Sequence, residues 1–207
     1  MKDFGLYVIM TDPAVGYEKF LEVCVEERMP YVQLRDKSMS DGELLATAKR
    51  LADIVRATET RLIINDRPDI ALLSGAHGYH LGRGDLPLAE ARRLASTGTT
   101  MIAGLSSHSP AQAEDAVMQK PDYIGFGPVY PTPTKAIPDP AVGLSQIGTV
   151  VAGSSVPVVV LGGLFPEHIQ QVIDAGARNV CCVRYLNEAE HPGERIREIN
   201  RMMRITA

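Results

Sequence analysis

Short apolar, β-branched runs recur along the chain, with longer amphipathic segments between them. The runs are LYVIMT (6–11), YVQLRD (31–36), RLIIND (61–66), GYHLG (78–82), MIAGLSS (101–107), YIGFGPVY (123–130), PVVVLGG (157–163) and NVCCVRY (179–185). Their shortness and composition predict eight strands. Between them lie predicted helices, clearest over 40–58, where Leu44, Leu45, Ala48, Leu51, Ala52 and Val55 form a stripe behind a Ser/Asp start. Further helices are expected over 15–27, 86–96, 109–119, 166–176 and 192–205, with weaker segments at PDIALLSG and VGLSQIGTVVA.

Eight strand–helix alternations of this length point to parallel βαβ units, and closing eight of them gives an α/β fold, the (β/α)8 TIM barrel. The competing architecture is a doubly wound open sheet. Against it, the first strand–helix turn, TDPAVGY, lacks a G-x-G-x-x-G fingerprint. The 207 residues are few for a barrel, so the loops must be compact, and one domain over 1–207 is expected.

Composition narrows the function classes. The chain is 45% apolar and 22% charged, which excludes disorder and collagen-like repeats. Its 21 Lys+Arg against 25 Asp+Glu give a net charge of −4 without a like-charge run, so neither nucleic acid nor an anionic membrane is an expected partner. The opening MKDFGLYVIMTDP is not built as a secretory signal and no segment has the length of a membrane span, which points to the cytoplasm. Adjacent Cys181 and Cys182 would face opposite sides of a strand and read, with the third cysteine, as buried thiols.

In a barrel the site lies where the strands end, and here they end in polar residues. Alternation puts Gln33, Arg35 and Lys37 on one face of the second strand, with Val32 and Leu34 on the other. Later runs finish at Asn65-Asp66-Arg67, Gly84-Asp85, Ser106-Ser107-His108, Thr132-Pro133-Thr134-Lys135 and Gly162-Gly163. Two carboxylates, Asp66 and Asp85, with the cations Arg35, Lys37 and Lys135, form the inventory for a phosphorylated substrate bound with Mg²⁺. Gly162-Gly163 ahead of a helix at Pro166 adds a second place for phosphate. Each residue also has a plain reading: a surface pair for Asp66-Arg67, a solvated Lys37, a simple turn at Gly162-Gly163. Their coincidence at successive strand ends favours a site. His80 and His168 read as structural; His108 reads equally as an orienting group or a helix cap.

Taken together, Gln33-Leu34-Arg35-Asp36-Lys37, Ile64-Asn65-Asp66-Arg67, His80-Leu81-Gly82 with Asp85, Gly104 to His108, Gly125-Phe126-Gly127-Pro128, Thr132 to Lys135 and Gly162-Gly163 resemble the thiamine-phosphate synthase family, in order and nearly end to end. The resemblance implies a Mg²⁺-dependent transferase that joins 4-amino-5-hydroxymethyl-2-methylpyrimidine diphosphate to a thiazole phosphate, releasing thiamine phosphate and diphosphate. It implies that Gln33, Leu34, Arg35, Asp36, Lys37, Asn65 and Lys135 hold the pyrimidine diphosphate and that Asp66 and Asp85 bind Mg²⁺. Ser106 would meet the pyrimidine, while Thr132, Thr134, Gly163 and the backbone at Val183-Arg184 would hold the thiazole phosphate. The implied mechanism is dissociative, with Arg35, Lys37 and Lys135 stabilising the departing diphosphate.

One stretch departs from the family. Val183-Arg184-Tyr185-Leu186 stands where Val-Ser-Ala-Ile is usual, which bears on thiazole-phosphate affinity. Two other functions fit the same barrel: a thiazole tautomerase, which would not need the Asn-Asp pair and the Thr-x-Thr-Lys element, and a non-catalytic phosphate-ligand sensor, from which metal or leaving-group residues should be missing. Oligomeric state is not encoded in the pattern.

Overall fold

A computed structural model describes residues 3–95, 100–132 and 140–204. Its strands are β1 (Gly5–Leu6), β2 (Val8–Met10), β3 (Tyr31–Leu34), β4 (Arg61–Asn65), β5 (Gly78–Leu81), β6 (Ile102–Ser107), β7 (Tyr123–Phe126), β8 (Val158–Leu161) and β9 (Asn179–Cys181). All neighbouring pairs are parallel, in the order β1-β9-β8-β7-β6-β5-β4-β3-β2. β1 and β2 are two halves of one run: the first bonds to β9, the second to β3, and the N–H of Tyr7 between them donates to Val180 O at 2.9 Å. That shared run closes the sheet, and the eight expected strands are the staves of a TIM barrel.

The described helices are α1 (Tyr17–Glu26), α2 (Asp41–Val55), α3 (Pro68–Ser74), α4 (Leu88–Ala95), α5 (Pro110–Met118), α6 (Ile147–Gly153), α7 (Pro166–Asp174), α8 (Val183–Asn187) and α9 (Pro192–Arg204). α2 starts on a capping box, with Ser40 Oγ accepting from Glu43 N (3.4 Å) and Glu43 Oε2 accepting from Ser40 N (2.9 Å). The box ends the loop that carries Arg35 and Lys37. The eighth predicted strand is too long: β9 stops at Cys181, and Val183-Arg184 open the short helix α8. A β-branched, aromatic stretch reads as strand from composition, and tertiary packing overrides it there.

Alternation divides the strand residues between two cores. Val8, Met10, Val32, Leu34, Leu62, Ile64, Val160 and Val180 pack outward against helix residues such as Phe20, Leu21, Leu51 and Ile169. Tyr7, Ile9, Tyr123, Val159 and Cys181 fill the barrel. Cys181 and Cys182 accordingly sit in different cores, and Cys24, Cys181 and Cys182 are free and buried. Among the described residues no helix is long and apolar enough to cross a membrane.

Candidate active site

The polar strand ends meet at one mouth, in two adjoining parts. The first is a charged rim over β3, β4 and β5. Arg35 continues the β3 ladder through its N–H to Met10 O (2.9 Å), and its guanidinium makes no hydrogen bond or ion pair among the described residues. Leu34 turns its side chain into the helix layer, leaving only backbone for a ligand. Asp36 is a brace. It accepts from Ser38 N (2.7 Å), Met39 N (2.9 Å), Ser38 Oγ (2.8 Å) and Tyr17 Oη (2.6 Å). Burial works to raise the Asp36 pKa, but the bonds from Tyr17, Ser38 and Met39 outweigh it and hold it down at about 2. Its carboxylate thus shapes the turn that presents Lys37.

Lys37 Nζ donates to Asp66 Oδ2 across the rim. Asp66 sits just past β4 with φ +62°, a left-handed conformation that Asp and Asn tolerate better than most residues, and its N–H donates to His80 O at 2.7 Å. That bend at Asn65-Asp66 turns the carboxylate to Asp85, whose own Oδ2 accepts from Gly82 N (2.6 Å). The two carboxyls lie within hydrogen-bonding reach and titrate as a pair. Burial pushes both pKa values up. For Asp66 the bonds from Asp85 and Lys37, with the charges of Lys37 and Arg35, prevail and hold it below the usual range. For Asp85 burial and the neighbouring Asp66 prevail, and it rises.

Two carboxyls pressed together, all-oxygen donors facing solvent, fit a hard dication. Among the described residues no three His, Cys, Asp or Glu side chains cluster as a metal cage. The remaining ligands would be phosphate oxygens and water, the set Mg²⁺ accepts.

The second part is a cavity of about 970 Å³, including its opening to solvent, walled by residues of β2, β3 and β5–β8, the loops that follow, and the start of α8. Gln33, Arg35, Ser106, Thr132, Gly163, Val183 and Arg184 all line it, so the structure brings these sequence-predicted residues together. Lys37, Asn65, Asp66 and Asp85 stand outside this lining, and Arg35 belongs to both parts. Thr134 and Lys135 lie outside the described residues.

At the far wall Gly162 and Gly163 have φ +98° and +67°. A Cβ on Gly162 would stand 2.3 Å from Pro128 Cα, and one on Gly163 2.7 Å from Tyr130 Cβ, so only glycine fits. The N–H groups of Gly163 and Leu164 donate to nothing among the described residues, and the Arg184 guanidinium lies over the Phe165 ring, 5.1 Å from its centroid. A planar cation and backbone donors at one wall are groups that could hold a second anion. His168 behaves as expected of a structural residue: its Nδ1 accepts from Phe165 N (3.1 Å) at the start of α7. His108 lines the cavity and bonds through Nδ1 to Gly127 O (2.5 Å), tying the end of β6 to that of β7.

His80 too has the bonds of a structural polar residue, and it adds a place in the site. It points into the barrel, its Nδ1 3.0 Å from Tyr123 Oη and its Nε2 2.9 Å from Ser106 Oγ. Tyr7, His80 and Tyr123 all line the cavity, and of the three only His80 stands out in the sequence pattern. A signal existed: glycine stands beside His80 on the next strand, at Gly104, where a Cβ would meet Tyr123 Cζ at 2.2 Å and His80 Nδ1 at 2.4 Å.

Comparison with known proteins bears on the fold and the family. The family model described as thiamine monophosphate synthase matches residues 6–186. The thiamine-phosphate synthase of Gloeobacter violaceus is 40% identical over 188 residues, 91% of this chain and 54% of that protein, and the Synechocystis enzyme is covered over 55%. The chain thus spans about half the length of these curated relatives. It spans 90% of the Halalkalibacterium halodurans thiamine-phosphate synthase, at 37% identity over 194 residues and 92% of this chain. The solved thiamine phosphate pyrophosphorylase from Pyrococcus furiosus superposes with a TM-score of 0.84 at 26% identity, covering 98% of this chain and 96% of that one. With the family model matched from the first strand to α8, the chain belongs to the thiamine monophosphate synthase family.

Proposed function

We propose that the site condenses 4-amino-5-hydroxymethyl-2-methylpyrimidine diphosphate with a thiazole phosphate, yielding thiamine phosphate and diphosphate. The observation that carries this reading is one mouth with two anion sites: the Arg35-Lys37-Asp66-Asp85 rim, and the Gly163-Arg184 wall across the cavity. A tautomerase acting on the thiazole phosphate alone would use the wall and leave the rim without a task. We also assign the chain to the cytoplasm, in keeping with its three free, buried thiols.

Asp66 and Asp85 would hold Mg²⁺, which when bound supplies positive charge to the diphosphate oxygens. Arg35 and Lys37 bind the same group and stabilise it most as the carbon–oxygen bond breaks and the electron pair moves onto it. Lys135 is assigned the same task from the family pattern. The pyrimidine methyl cation left behind is captured by the thiazole nitrogen, forming the new carbon–nitrogen bond. No protein nucleophile takes part; apolar walls such as Ile9, Val159 and Leu161 keep water from the cation.

Calorimetric titration of each substrate alone, with and without Mg²⁺, tests the division of the site. The pyrimidine diphosphate should bind at least about tenfold more tightly with Mg²⁺, because two carboxylates otherwise face it; the thiazole phosphate should change by less than about twofold. Equal dependence of both substrates, or none, would overturn the reading. At the wall, Arg184→Ser should preserve kcat and raise KM for the thiazole phosphate by about ten- to a hundredfold, the weight of a charge-assisted hydrogen bond. Equal changes in both KM values would remove Arg184 from the thiazole-phosphate site.

A further inference from the structure

A continuous hydrogen-bonded chain of side chains runs beneath the cavity. Gln33 Nε2 donates to Tyr7 Oη at 3.0 Å, Tyr7 Oη and Tyr123 Oη are 2.7 Å apart, and Tyr123 Oη is 3.0 Å from His80 Nδ1. His80 Nε2 then meets Ser106 Oγ at 2.9 Å. Tyr7 and Tyr123 are 1% exposed and Gln33 2%, so the protein itself supplies the partners of these groups.

The first donor sets the direction of every later link. Tyr7 Oη accepts from Gln33, and its own proton has one remaining partner, Tyr123. Accepting from both neighbours would strand a buried O–H, which folded interiors avoid. Tyr123, having accepted, gives its proton to His80 Nδ1. An imidazole that accepts at Nδ1 carries its hydrogen on Nε2, and that hydrogen goes to Ser106 Oγ. Ser106 is left with a proton to offer upward into the cavity.

We propose that Tyr7, Tyr123 and His80 are positioning residues that fix the Ser106 hydroxyl as a hydrogen-bond donor toward the bound heterocycle, so that it selects a ring nitrogen acceptor rather than an amino group. The inference rests on the reading of this cavity as the place where the pyrimidine is held. It gives three side chains, none of which is part of the charged rim, a definite task, and it accounts for glycine at position 104, where any side chain would break the chain.

The test is a double-mutant cycle on the full chain with both substrates and Mg²⁺. Tyr123→Phe removes the donor to Nδ1 and frees His80 to take either tautomer. It should lower kcat/KM for the pyrimidine diphosphate by about tenfold and leave KM for the thiazole phosphate within about twofold. Ser106→Ala should cost at least as much, and the double variant should be no worse than Ser106→Ala alone, because Tyr123 acts through Ser106. Losses that multiply in the double variant, or equal changes in both KM values, overturn the proposal. If Tyr123→Phe does not fold, Tyr7→Phe carries the same cycle from one link further away. An inactive wild-type protein would defeat the functional reading and the chain together; an active one with multiplying losses defeats the chain alone.

Discussion

Replacing Asp66 by Asn is expected to lower Mg²⁺-dependent diphosphate release by at least about a hundredfold, while the melting temperature stays within a few degrees of the parent. Asn is the informative substitution because position 66 is left-handed, with φ +62°. Asparagine tolerates that conformation, whereas alanine would add backbone strain to the lost charge and confuse the two effects. The change removes one of two carboxylates from the rim, ends the shared titration with Asp85, and leaves Lys37 without its counter-charge. The response to Mg²⁺ should therefore shift to higher concentration as the rate falls. Full activity with an unaltered Mg²⁺ response would remove Asp66 from the metal site.

The second large effect is expected at Gly104, where alanine should destabilise the fold by about 1–3 kcal/mol and abolish most turnover. The added Cβ would lie 2.2 Å from Tyr123 Cζ and 2.4 Å from His80 Nδ1. Neither ring is free to retreat, since Tyr123 is bonded to Tyr7 and His80 to Ser106. For a chain of this size the loss corresponds to a fall in melting temperature on the order of 2–10 °C. Gly84→Ala is the control: nothing lies within 4 Å of a Cβ there and its stability should stay within about 0.5 kcal/mol. Thermal unfolding of the two variants side by side decides it; an unchanged Gly104→Ala would mean that the barrel interior is looser than its contacts imply.

The fold was legible because parallel strands buried on both faces write themselves as short β-branched runs, and because Gly, Pro and Ser mark their ends. Alternation also puts Gln33 and Arg35 inward and Leu34 outward, as the structure has them, but Lys37, expected on the same face as Gln33, lies outside the cavity lining and pairs with Asp66. Local conformation was less visible. The left-handed bend at Asp66 and the start of α8 at Val183 depend on contacts distant in sequence, and neither leaves a periodic trace. The side chains of Leu34 and Asp36, which the resemblance places at the pyrimidine diphosphate, face the helix layer and brace the loop. The polar chain was hidden for a different reason. Tyr7 and Tyr123 read as apolar members of strands, and His80 as a structural polar residue in one, and only closure of the barrel brings the three together.

The most direct measurement of whether rim and cavity act as one site is diphosphate release from the pyrimidine diphosphate, followed with thiazole phosphate, Mg²⁺ and protein each omitted in turn. Release that requires all three, with thiamine phosphate formed in equal amount, is the expected result. Release at an undiminished rate without Mg²⁺, or none from a folded protein that still binds the thiazole phosphate, would contradict it.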